Sequence, residues 1–221
     1  MKKLFVALFL LLAALSFGQT TARDYYNRGL TFFDQNDWDI AILEFTDAIK
    51  LDPNYFDAYM KRGRVYRNRE EHTRSIADYN QALRLRPNSS DAYVGRAITY
   101  GDRSAGNNVY SIQRAIEDLN QAIRLDPASY VAYYWRGRMY LDLGMNQASG
   151  TPVGSTAGHN SLNQAVTDLS QAIRLNSNSW VAYTYRALAY NWLGLKSLQD
   201  ADNARARSIP DELFRSVDHG R

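Results

Sequence analysis

The hydrophobic positions of this chain fall into recurring blocks rather than a continuous alternation. Inside the block from Ala41 to Pro53, Ala41, Phe45 and Ala48 stand four and three positions apart, which is one face of an α-helix. The block recurs as Ser75 to Pro87, Ala115 to Pro127 and Ala165 to Ser177, and in shortened form as Ser197 to Ala204. Proline lacks an amide donor and biases its predecessor away from helix, so the Asp-Pro or Arg-Pro pairs predict a helix stop after the first three blocks. Upstream of each block lies a second motif, a tyrosine followed by arginine and a small residue. It reads Tyr25 with Arg28-Gly29, Tyr59 with Arg62-Gly63, Tyr93 with Arg96-Ala97, Tyr133 with Arg136-Gly137 and Tyr183 with Arg186-Ala187. Another ring follows each time: Phe32, Tyr66, Tyr100, Tyr140 and Tyr190. The pattern predicts five consecutive pairs of helices.

Tyr25, Tyr59 and Tyr93 stand 34 residues apart, and on these residues the chain resembles the tetratricopeptide repeat family. The first unit matches at Tyr25, Gly29, Phe32, Ala41, Phe45, Ala48 and Pro53, and the second at Tyr59, Gly63, Tyr66, Ser75, Tyr79, Ala82 and Pro87. The third and fourth place Leu119 and Leu169 where the family has an aromatic, and the fifth is degenerate in its second half, with Ser197, Ala201 and Ala204. The resemblance implies an all-α, right-handed superhelix of five helix-turn-helix units, at about 22–55, 56–89, 90–129, 130–179 and 180–206. A two-helix hairpin cannot bury its own apolar face, so neighbouring units must share one core. Residues 207–221, with Pro210 to Val217 reading as a short helix, are expected to cap the last unit.

Two insertions interrupt the period at the same point of adjacent units. Tyr100 to Ala115 is longer than Phe32 to Ala41, and Tyr140 to Ala165 is longer still. The segment Gly144 to Asn160, rich in glycine, serine and threonine, reads as a flexible loop. It is either a tolerated surface loop or a flap over one mouth of a groove.

The amino-terminal segment is expected to lie outside the repeat domain of 19–221. Lys2-Lys3 precede an apolar run from Leu4 to Phe17, too short to span a bilayer comfortably, and small residues close it at Ser16 and Gly18. Residues 1–18 read as a signal peptide cleaved after Gly18, against an uncleaved anchor or a buried helix. Gln19 stands where a lipoprotein would need cysteine. The expectation is an exported protein, periplasmic or secreted, with no stable membrane anchor after cleavage.

Composition changes the picture in three places. The chain has no cysteine, which excludes thiolate metal sites and a cysteine nucleophile. Its formal net charge of +3 falls to +1 once Lys2 and Lys3 are removed, so nothing calls for a nucleic-acid partner. Of 16 tyrosines, most occupy repeat positions and serve the scaffold. His72, His159 and His219 are far apart, and no phosphate-cradling loop or nucleophile motif is present, so no metal, cofactor or enzymatic activity is expected.

Two ladders run through the repeats. Arginine recurs at Arg28, Arg62, Arg96, Arg136 and Arg186, and an acidic residue is expected opposite each at Glu44, Asp78, Asp118, Asp168 and Asp200. Identical groups in every unit suit structural ion pairs between antiparallel helices better than a binding site. Variable positions suit binding. The family resemblance implies a concave groove lined by the first helix of each unit, and the positions carried over include Arg23, Tyr26, Met60, Arg64, Arg67, Val94, Ile98, Tyr134, Arg138 and Thr184. Mixed arginine, aromatic and aliphatic side chains suit a peptide or protein partner. A small-ligand-binding accessory protein of an envelope transport system is the alternative. The lysine and asparagine clamp of chaperone-binding relatives is absent, with Tyr26 and Leu30 at two of its positions.

Overall fold

The structure, a computed structural model, describes residues 20–103, 108–148 and 158–210. The expected signal peptide, the middle of both insertions and residues 211–221 of the expected cap lie outside them. Among the described residues ten helices follow one another: α1 (Ala22–Asp34), α2 (Trp38–Leu51), α3 (Phe56–Asn68), α4 (His72–Leu85), α5 (Ser90–Arg103), α6 (Val109–Leu125), α7 (Tyr130–Ala148), α8 (His159–Leu175), α9 (Trp180–Trp192) and α10 (Lys196–Ser208). Consecutive helices pack into five hairpins, and each hairpin packs on the next, giving an all-helical superhelical repeat fold.

Local chemistry sets where the helices start, turn and stop. Asp24 and Thr21 form a reciprocal cap at the head of α1: the Asp24 amide donates to Thr21 Oγ1 at 3.2 Å, and the Thr21 amide donates to the Asp24 carboxylate at 2.8 Å. The three uninterrupted hairpins turn through a left-handed residue at the same repeat position, Asn36 (φ 60°), Glu70 (φ 61°) and Gly194 (φ 74°). Helix stops do not need the proline. Asp52, Asp126 and Asn176 each accept a hydrogen bond from the amide two residues on, at 2.9, 3.0 and 3.2 Å, so α8 ends at Leu175 although Ser177 replaces proline.

The core is a series of clusters between helices. Phe45, Leu119 and Leu169 are fully buried and Tyr79 nearly so, each filling the space beside a small residue of the preceding helix. A Cβ on Gly137 would lie 2.7 Å from Leu169 Cγ, whereas one on Gly63 would lie 3.3 Å from Asp78 Cβ. Close approach is therefore stricter in the fourth hairpin than in the second.

The insertions are partly helical, which corrects the loop reading. Helix α7 continues through Gly144 to Ala148, and α8 begins at His159. Gly144 is buried against Leu162, and Met145, Gln147 and Ala148 favour helix. Gly158, with φ 81°, returns against the Gly144 carbonyl, and Ser161 Oγ donates to Gln147 Oε1 at 2.9 Å, so the two ends of the insert are joined. In the third unit α6 starts at Val109, because Ile112 extends the buried stripe of Ala115, Ile116 and Leu119.

Candidate functional site

The arginine ladder consumes one set of recurring side chains within the scaffold. Arg62 holds Asp78 by Nε at 2.8 Å and Nη2 at 2.7 Å; Arg96 holds Asp118 and Arg136 holds Asp168 in the same bidentate way. The hydrogen bonds that Arg96 donates to Asp118 raise its already high pKa, so this guanidinium stays charged. The last rung corrects the sequence reading. Arg186 pairs with the buried Asp202 at 2.7 Å, while the exposed Asp200 takes Lys196 instead. The shortened apolar pattern suggests a register two residues early; the spacing of 16 residues seen in Arg28–Glu44 and Arg62–Asp78 recurs in Arg186–Asp202.

Each interior arginine also reaches backwards. Nη1 of Arg62, Arg96, Arg136 and Arg186 donates to Thr46, Asn80, Asn120 and Ser170, at 2.9, 2.6, 2.8 and 2.9 Å. These acceptors lie on the second helix of the preceding hairpin, so one guanidinium ties three helices together. A signal existed in the sequence: a short polar residue stands 16 positions before every one of these arginines.

The candidate groove residues fall into three groups. The first surrounds Phe33 on α1. Arg64 Cζ lies 5.3 Å and Lys61 Nζ 5.6 Å from the Phe33 ring centroid, and Arg67 Nε lies 3.8 Å from Asp102. Tyr26 packs between Phe45 (5.7 Å) and Tyr55 (5.0 Å), and burial, with Asp57 and Tyr55 adding, pushes its hydroxyl pKa up to about 12. Burial lowers the pKa of Lys61 and Arg64, and neighbouring cations lower both further: Arg64 acts on Lys61, and Arg67 on Arg64.

The second group surrounds Tyr134 on α7. Its ring meets Trp135 at 5.4 Å and Tyr185 at 5.8 Å edge-on and stacks on Tyr130 at 6.1 Å. Arg138 lies over Trp135 at 4.8 Å and over Tyr185 at 5.5 Å. Burial raises the pKa of Asp142, against the pull of Arg138.

The third group is not gathered into either site. Val94 is buried in the core between the third and fourth hairpins, and Ile98 packs against that core, so Val94 is withdrawn from the expected contact surface. Met60 packs against the cluster of Phe56 and Leu83. Arg23 and Thr184 are exposed, and the Thr184 hydroxyl donates to the Trp180 carbonyl at 3.0 Å. Sequence reasoning missed Lys61, Trp135 and Tyr185. All three occupy one repeat position, which reads Asn27, Lys61, Gly95, Trp135 and Tyr185 and varies more in chemistry than the positions chosen.

Away from these groups, Glu70 to Arg74 line a hollow of about 330 Å³ at a hairpin turn. Among the described residues no cluster of three or more His, Asp or Glu side chains could hold a metal ion, and no helix is long and apolar enough to cross a membrane.

Residues 26–90 and 111–153 match the tetratricopeptide repeat family. No curated protein matches the sequence. Several solved structures share the fold. The crystal structure of MamA protein is 21% identical with a TM-score of 0.67, covering 90% of this chain and 96% of that one. MamA from Desulfovibrio magneticus RS-1 is 16% identical with a TM-score of 0.68, covering 92% and 99%. YrrB, described as a TPR protein with an unusual peptide-binding site, is 17% identical with a TM-score of 0.60, covering 92% and 94%. At such identities the likeness establishes the fold alone.

Proposed function

We infer that the whole five-hairpin array belongs to the tetratricopeptide repeat family, and from that premise that it is a non-enzymatic scaffold holding a protein or peptide partner. The partner lies along the first helices, α1, α3, α5, α7 and α9. One observation carries this reading: the repeated arginines are saturated by scaffold contacts, while the variable positions of the same helices present cations and rings that differ from unit to unit. Arginine and large aromatic side chains are the residue types that most often anchor protein partners. The peptide-binding site of the structurally similar YrrB supports the same use of the fold. Function does not follow from fold by itself, so the reading rests on these side chains.

The scaffold works in the cell envelope if residues 1–18 are removed as a signal, and the charged start and apolar run of that segment support this. Protein isolated from its native source should begin at Gln19; a chain beginning at Met1 in the cytoplasmic fraction overturns the location. For the partner, purification from the same source followed by mass spectrometry should recover one stoichiometric polypeptide, lost on Arg138→Ala. A retained small molecule with no polypeptide would overturn the scaffold reading and favour a small-ligand carrier.

A further inference from the structure

We propose that Arg138, held against the rings of Trp135 and Tyr185, is the point at which the groove reads one acidic side chain within an otherwise apolar peptide segment. This rests on the scaffold reading above and names the chemistry of the occupant. Arg138 and the ladder residue Arg136 stand two positions apart on α7, and their partners differ in kind. Arg136 gives its donors to Asp168 and Asn120, at 2.7 to 2.8 Å. Arg138 Cζ lies 4.8 Å from the Trp135 centroid and 5.5 Å from that of Tyr185, contacts that fix a guanidinium without taking up its hydrogen-bonding capacity. Among the described residues no group accepts a hydrogen bond from Arg138, and Asp142, one turn on, attracts it without forming an ion pair. None of its nitrogens is sealed from solvent without a partner, so its donors are within reach of an arriving group. A guanidinium already steadied by rings has lost part of its side-chain freedom. A carboxylate meeting its planar fork therefore gains two charge-assisted bonds at a reduced entropic cost.

The surroundings set how much charge the occupant carries. Helix α9 has no acidic residue, and its one cation, Arg186, is bound to Asp202 and Ser170. On α7 the charges besides Arg136 are Arg138 and Asp142. One cation beside one carboxylate matches a segment with a single acid, since a second acid would find no further cation on either helix and would be repelled by Asp142. The cluster of Tyr134, Trp135 and Tyr185 suits aliphatic or aromatic side chains on either side of that acid. A nucleic acid fits less well, because a chain of phosphates calls for a track of cations rather than one.

The test is fluorescence anisotropy with the full chain and three rhodamine-labelled, carboxy-amidated peptides in which Leu and Phe flank a central Glu, Gln or Lys. The Glu peptide should bind about tenfold or more tightly than the Gln peptide, and the advantage should shrink as sodium chloride is raised. Arg138→Gln, with an unchanged helical circular dichroism spectrum, should bind the Glu and Gln peptides alike. Arg138→Lys should lose most of the preference, because an ammonium has no planar fork and stacks poorly on rings; full retention would overturn the role given to the rings. Equal binding of the Glu and Gln peptides by the unaltered protein would sink the acid site while leaving the scaffold reading intact. Tighter binding of the Lys peptide would hand the site to Asp142, and a Gln peptide with a free carboxy terminus binding as well as the Glu peptide would replace the internal acid by a chain end; either overturns the proposal. So does tighter binding of a single-stranded oligonucleotide than of the Glu peptide. Binding of none of the three peptides sinks the acid site, and the scaffold reading then falls with it only if Arg138→Ala still recovers the native polypeptide.

Discussion

Two sets of arginines occupy the first helices of this molecule, and their surroundings differ. In the ladder, Arg136 gives two hydrogen bonds to Asp168 and a third to Asn120, and the Asp168 side chain is only 2% exposed. In the groove, Arg64 stands one turn from both Lys61 and Arg67, and its pKa is lowered by burial and by Arg67. The difference separates what the chain uses to hold itself together from what it leaves available. A group repeated with the same partners in every interior hairpin is part of the scaffold. A group that varies from one hairpin to the next is where a partner can be distinguished.

This comparison can be broken by measuring stability at each set. Arg136→Ala should have the largest effect, about 3–5 kcal/mol by chemical denaturation, because it leaves the Asp168 carboxylate buried without its cation. Asp202→Ala should cost about 2–3 kcal/mol by stranding the partly buried Arg186, while Asp200→Ala should stay within about 0.5 kcal/mol. Equal effects at these two positions would restore the rung that the sequence suggested. Asn120→Ala removes only the backward bond and should cost about 1–2 kcal/mol. Arg28→Ala should cost under about 1 kcal/mol, since this arginine is half exposed and, among the described residues, reaches back to no earlier helix. Lys61→Gln should change stability by less than about 0.5 kcal/mol, and a loss as large as that of Asn120→Ala would move Lys61 into the scaffold.

Much of the fold was legible because its determinants are periodic. The spacing of Ala41, Phe45 and Ala48, and its recurrence, carries the helices and their pairing. The interior rungs of the ladder follow from the same period. The fifth rung is harder to place because weak apolar matches at Ser197, Ala201 and Ala204 compete with the 16-residue offset of the uninterrupted hairpins, which Asp202 keeps. The backward bonds to Thr46, Asn80, Asn120 and Ser170 depend on three helices meeting, and no pairwise reading of one hairpin contains that geometry.

The candidate site was less legible, for a physical reason. Whether a side chain on a groove position is available depends on how closely the adjacent hairpin approaches, and that varies along the array. Val94 falls at an expected contact position yet is 8% exposed, because the third and fourth hairpins close over it. Trp135 and Tyr185, one position further round their helices than Tyr134 and Thr184, complete an aromatic cluster that the inherited pattern omitted.

The central claim is that the repeated arginines hold the array and the variable side chains of the first helices hold the partner. The most direct measurement is recovery of the stoichiometric polypeptide partner by two variants side by side, at a temperature where both are folded. The account predicts that Arg136→Lys, although less stable, binds the partner as the unaltered protein does, and that Arg138→Ala, although folded, loses it. Weakened binding by the folded ladder variant, or full affinity in the groove variant, would contradict it.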